Sequence, residues 1–156
     1  AQVGDEVHVL VNFKSGHVLQ YRVTEAEGQL SLVLLRQWQV GSQPEGMVAD
    51  DAVGQIYLGE EDVGIWREGA EPRGGPARTM LAKITDNPAL KDDMEGMGLY
   101  AMADGKGYLV VSSQGNDSYA VFRREGDNAY STPERCGAKA ASSTSARPTP
   151  SGWLGN

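Results

Sequence analysis

Cysteine is nearly missing from this chain. Cys136 is the single one among 156 residues, so no internal disulfide can form. The sixth position after it is Ser142 rather than an arginine, which excludes a cysteine-phosphatase loop. Histidine is scarce as well. His8 and His17 are the only two, and neither has a second ligand at zinc spacing. Both read as structural, and the absence of an Arg-His-Gly step excludes histidine-phosphatase chemistry. A Walker-type phosphate loop and a Gly-x-Ser-x-Gly elbow are also missing. No apolar run approaches the ~20 residues of a bilayer span. The chain opens at Ala1 without a basic, apolar-cored leader, so no signal peptide is expected in it. Positive charge is in deficit, with 14 Lys and Arg against 21 Asp and Glu, for a net charge of −7. That balance argues against nucleic acid and against an anionic membrane as direct partners. Cations remain as partners, and so do anions bridged through cations.

What is abundant is glycine, 20 residues, set between short alternating apolar runs. Val7–Val11 and Val18–Val23 read as a hairpin across the turn Asn12–Gly16. Leu30–Val40 is a longer run whose β-branched and aromatic content favours strand over helix. A second unit has strand candidates at Met47–Ala49, Gln55–Leu58, Val63–Arg67 and Thr79–Ile84. A third has them at Gly98–Met102, Tyr108–Ser112 and Tyr119–Arg123. No segment reads as a helix. Each hairpin core ends in an aromatic followed by arginine: Tyr21-Arg22, Trp66-Arg67 and Phe122-Arg123. The aromatics lie 45 and 56 residues apart, about one four-stranded propeller blade each. Trp38, Trp66, Tyr57, Tyr100 and Tyr108 are expected to pack between blades. Met47, Met94, Met97 and Met102 are expected to fill the gaps there. The fold expected is all-β, a partial β-propeller domain over residues 1–136. Residues 137–156, rich in Ala, Ser, Thr and Pro, read as a flexible low-complexity tail.

The acidic residues are not scattered. Glu45-Gly46-Met47 recurs as Glu95-Gly96-Met97 fifty residues on. Glu45, Glu61 and Glu95 stand at matching ends of successive units. Glu60, Asp62, Asp50, Asp51, Asp92 and Asp93 lie close by in sequence. Hard cations such as Ca²⁺ take six to eight oxygen ligands, and clustered carboxylates supply them. Solvated loop acids are the alternative, and the repeat favours the cation. Gly46 and Gly96 are expected to let the backbone turn sharply after each glutamate. Lys14, in the first turn, is either an ordinary exposed lysine or a phosphate contact.

Three stretches carry a family resemblance. They are Glu45-Gly46-Met47-Val48-Ala49-Asp50-Asp51, Tyr57–Asp62 with Ile65-Trp66, and Ala103–Leu109 with Ser112–Asn116. Together with Lys14–Val18 and Gln20-Tyr21, they resemble the β-propeller phytases over roughly residues 8–130. The resemblance implies about three blades of a six-bladed propeller, with further blades on both sides. It implies a phosphoric monoester hydrolase that removes phosphate from phytate (inositol hexakisphosphate) using Ca²⁺. By motif, Glu45, Glu61 and Glu95 match channel glutamates that bind calcium or orient its waters, and Lys14 matches a phosphate-contacting lysine. It further implies a secreted monomer acting on phytate and related inositol phosphates. A piece of such a ring is expected to be weakly active or inactive alone. A non-catalytic propeller segment, binding a cation or a partner as a scaffold, is the other class of function left open.

Overall fold

The computed structural model describes residues 1–73, 75, 77–125 and the backbone of 134–136; the expected tail at 137–156 lies outside them. Alternating apolar and polar side chains send successive residues to opposite faces, which is the pattern a strand needs. Among the described residues twelve strands result, in three antiparallel four-stranded sheets. The first sheet is β1 (Gln2–Val3), β2 (Glu6–Asn12), β3 (His17–Ala26) and β4 (Gln29–Gln39). The second is β5 (Pro44–Asp50), β6 (Gln55–Glu60), β7 (Gly64–Gly69) and β8 (Thr79–Lys83). The third is β9 (Met97–Ala101), β10 (Gly107–Ser113), β11 (Ser118–Arg123) and β12 (Glu134–Cys136). Strands follow chain order in every sheet, so each is a simple meander. This is a partial β-propeller, a row of three blades. Among the described residues the only helical turns are two three-residue 3₁₀ turns, Ala103–Gly105 and Gln114–Asn116.

The sheets pack face on face. Between the second and third lies the larger core, with Tyr57, Ile65, Leu90, Met94, Leu109, Val111 and Phe122 all buried. Between the first and second lies a smaller one, Val18, Val40 and Leu58, with Trp38, Met47 and Trp66 packed against it. The two faces of the second sheet separate by register: Leu58 pairs with Trp66 and looks toward the first sheet. Tyr57 and Ile65, one step along, look toward the third. Tyr21, Trp66 and Phe122 fall on β3, β7 and β11, the third strand of each sheet. Trp66 leans on the first sheet and Phe122 on the second. Tyr21 pairs with Val9 and Leu34 on the side of the first sheet that faces away from the second.

A polar seam joins the first two sheets. Gln20 donates from Nε2 to His8 Nδ1 at 2.8 Å and to the Ala70 carbonyl at 2.7 Å. Arg36 donates from Nε to Gln20 Oε1 at 2.6 Å and from NH2 to the Gly69 carbonyl at 2.8 Å. With Nδ1 accepting, His8 presents its Nε2–H to Glu6, 3.2 Å away. His8 is thus a buried structural residue.

Three packing expectations, for Tyr100, Tyr108 and Met102, need correction. Tyr100, on β9, and Met102, just beyond it, lie exposed rather than between blades. Tyr100 pairs with Tyr108 on the face opposite Leu99 and Leu109, and that face has no sheet stacked on it among the described residues.

Candidate metal centre

One end of the sheet row gathers three carboxylates. Glu45, Glu61 and Asp93 each offer an oxygen, and these oxygens lie within 4.8 Å of one another. Each arrives from a different local device. Glu45 sits where the β5–β6 register slips between Pro44 and Met47, so two residues of β5 face one of β6. Such a bulge re-aims a side chain out of the regular alternation. Glu61 follows the last residue of β6, and Asp93 lies in the segment that leads into β9.

The backbone around them is tied down. Glu61 N–H donates to the Gln43 carbonyl at 2.8 Å, and Gln43 Nε2 donates to Glu45 Oε1 at 2.9 Å. Asn12 Nδ2 reaches across from the first sheet to the Glu45 carbonyl at 2.7 Å. Asp93 adopts φ 62°, a left-handed conformation that aspartate tolerates better than most residues. Gln114 N–H and Gly115 N–H hold that turn through the carbonyls of Asp93 and Asp92, at 3.1 and 3.0 Å. Gly46 N–H donates to the Met94 carbonyl at 2.9 Å, which draws Asp93 toward Glu45.

The electrostatics are those of crowded carboxylates. The Glu61 acid is pushed above the ordinary carboxylate range. Desolvation is the chief cause, then a hydrogen bond with Asp93, then repulsion from Glu45, Asp93 and Asp62. Glu45 Oε2 is buried and meets no hydrogen-bond partner among the described residues. A buried carboxylate oxygen without a donor is costly unless something positive satisfies it. An all-oxygen, all-carboxylate donor set suits a hard divalent ion and not a soft one. The residues present therefore fit such a cation.

The remaining acids are placed differently. Asp50 is paired with Arg124, and Asp51 Oδ1 accepts the Gln2 N–H at 2.7 Å. Glu60 turns away to Ser42 and Trp66. Asp62 and Asp92 are exposed. Glu95 is exposed on the rim of a groove of about 840 Å³, its Oε2 accepting from Gln114 Nε2 at 2.9 Å. It stands outside the group of three. Lys14 is exposed in the β2–β3 turn, two residues beyond the Asn12 that holds Glu45.

The repeat explains the position of Glu95. Glu45 in the second sheet meets Asp93, which the third unit supplies. By the same spacing, Glu95, two residues before β9, stands in the third unit where Glu45 stands in the second. Asp93 itself stands two residues before Glu95, as Gln43 stands two before Glu45. That register was the available signal for it.

Gly46 is required for a reason other than the expected sharp turn. Neither it nor Gly96 has a positive φ. A Cβ on Gly46 would stand 2.7 Å from the Met94 carbonyl oxygen, whereas one on Gly96 would meet only the Ser112 side chain, its nearest atom Oγ at 3.4 Å.

A three-bladed propeller segment with a carboxylate centre at one end of its blades is the class these features define. A family model described as Phytase matches residues 1–145. A 3-phytase of Bacillus subtilis (strain 168) is 41% identical over 124 residues, covering 79% of this chain and 32% of that protein. The chain belongs to the phytase family. It spans about a third of the length of the curated relative it matches.

Proposed function

We propose that this chain carries part of a calcium-dependent phytase centre, a phosphoric monoester hydrolase acting on phytate and lower inositol phosphates. The observations that support it most are the meeting of Glu45, Glu61 and Asp93 and a buried Glu45 oxygen that has no hydrogen-bond partner among the described residues. In this reading those three side chains hold Ca²⁺, and Glu95 extends the carboxylate row along the third blade. A bound calcium supplies positive charge for substrate phosphates and lowers the pKa of a coordinated water. The chain's own part is positioning. Gln43 and Asn12 orient Glu45, the Gln43 carbonyl fixes Glu61, and Lys14 offers a point charge to a phosphate. The sign of the field demands a cation, because a net charge of −7 otherwise repels a polyanionic substrate. The family resemblance extends the reading to a secreted monomer.

Calorimetric titration tests this. Calcium should bind, phytate should bind only when calcium is present, and Glu61→Gln should weaken both. Phytate binding that ignores calcium, or calcium binding indifferent to Glu45, Glu61 and Asp93, would overturn it.

A further inference from the structure

We infer that Glu60 is a positioning residue whose buried carboxylate clamps the 41–43 segment and thereby sets the spacing between Glu45 and Glu61. The inference rests on the cation-binding reading above and names what holds that site in shape.

Glu60 is 2% exposed, although it neighbours one of the cluster's carboxylates in the chain. It ends β6, where successive side chains point to opposite faces, so it turns away from the three-carboxylate group. Its carboxylate is spent on donors instead. Oε1 accepts the Ser42 N–H at 2.7 Å and stands 3.2 Å from Ser42 Oγ. Oε2 accepts the Trp66 indole N–H. Charge-assisted bonds of this kind are stronger than neutral ones, and a buried carboxylate needs them. Their effect is to bind residue 42 to β6 and β7.

The clamped segment reaches both neighbouring carboxylates. Ser42 Oγ donates to the Glu61 carbonyl at 2.8 Å. The Gln43 carbonyl accepts the Glu61 N–H, and the Gln43 side chain donates to Glu45 Oε1. The segment runs so close to Glu60 that a Cβ on Gly41 would stand 3.0 Å from its Oε1. Glu60 thus acts on Glu61 through two backbone contacts and on Glu45 through Gln43. Outer-shell partners of this kind commonly govern metal affinity by about 10- to 100-fold.

The test uses the full chain, calcium alone as the probe, and calorimetric titration. Glu60→Gln keeps the shape but sets an amide against either the Ser42 N–H or the Trp66 N–H. Ser42→Ala removes only the hydroxyl. Each should raise the calcium Kd, by about tenfold for Glu60→Gln and less for Ser42→Ala. Glu60→Gln added to Glu61→Gln should weaken binding no further than Glu61→Gln alone, because Glu60 works through its neighbour. Folded variants with the parent's Kd would overturn the inference. So would full additivity in the double variant, or loss of fold in both single variants. If Glu61→Gln itself leaves calcium binding unchanged, the underlying site reading fails first.

Discussion

Arg124 and Asp50, 74 positions apart in the chain, close a fork-to-fork ion pair that is almost wholly buried, at 3% and 4% side-chain exposure. Nε and NH2 of the guanidinium each meet one carboxylate oxygen, the latter at 2.6 Å. The pair pins the end of the third sheet to the end of β5. Glu45 lies at the other end of that same strand. Removing one partner strands a buried charge, so Asp50→Ala should lower stability by about 3–5 kcal/mol. Urea denaturation measures this, and a loss below 1 kcal/mol would show the pair to be dispensable.

Glu61→Gln should weaken calcium binding by at least about tenfold, roughly 1.4 kcal/mol. The variant removes one ligand charge and keeps the side-chain shape. Without calcium it should be as stable as the parent or slightly more so, because it relieves the repulsion from Glu45, Asp93 and Asp62. A calcium-free variant melting well below the parent would contradict this account.

The pH dependence follows from the same group. The folded Glu61 acid sits above its unfolded value, so the fold favours the protonated form. Its contribution is therefore most favourable at low pH. It is lost as pH rises from the ordinary carboxylate range through the raised folded value. Calcium should abolish that loss by taking the proton's place, and should release protons on binding. Melting curves from pH 4 to 8, with calcium and with a chelator, would show the two profiles diverging upward in pH. Parallel profiles would count against the cluster.

The two glycines of the repeat should behave oppositely. At Gly46, alanine meets the Met94 carbonyl at 2.7 Å and must displace backbone next to Asp93. Gly46→Ala should cost about 1–3 kcal/mol and also weaken calcium binding. Gly96→Ala has room and should be close to neutral in both assays. Equal effects would mean that the contact at Gly46 does not shape the site.

Alone, this chain should hydrolyse phytate far more slowly than the Bacillus subtilis 3-phytase does. Leu30, Val7 and Tyr100 are 72%, 52% and 64% exposed, on sheet faces without a stacked neighbour among the described residues. Among the described residues Glu95 also has no cross-blade carboxylate partner of the kind that Glu45 has in Asp93. Phosphate-release assays in millimolar calcium decide the matter, and turnover equal to that relative would refute it.

Most strand positions were legible because alternation is local. Val7–Val11, Gln55–Leu58 and Tyr108–Ser112 need only their own side chains to declare a pleated, half-buried run. Leu30–Val40 was readable from composition despite its continuity. The two-residue β1 gave no such signal, since pairing with β2 alone defines it. Glu45 and Glu61 were visible as candidates, but their meeting with Asp93 depends on how one sheet stacks on the next. That distance is tertiary, and no local pattern encodes it. The role of Gly46 was hidden for the same reason. What constrains it is a carbonyl from another blade, not its own φ.

Tyr21, Trp66 and Phe122 give the row of blades a direction. Each sheet sends the aromatic of its third strand backward, so the two ends of the row are unlike, one offering Tyr21 and the other the Tyr100–Tyr108 pair. The row therefore has a polarity, and its two outer faces are not interchangeable as docking surfaces for a neighbouring sheet.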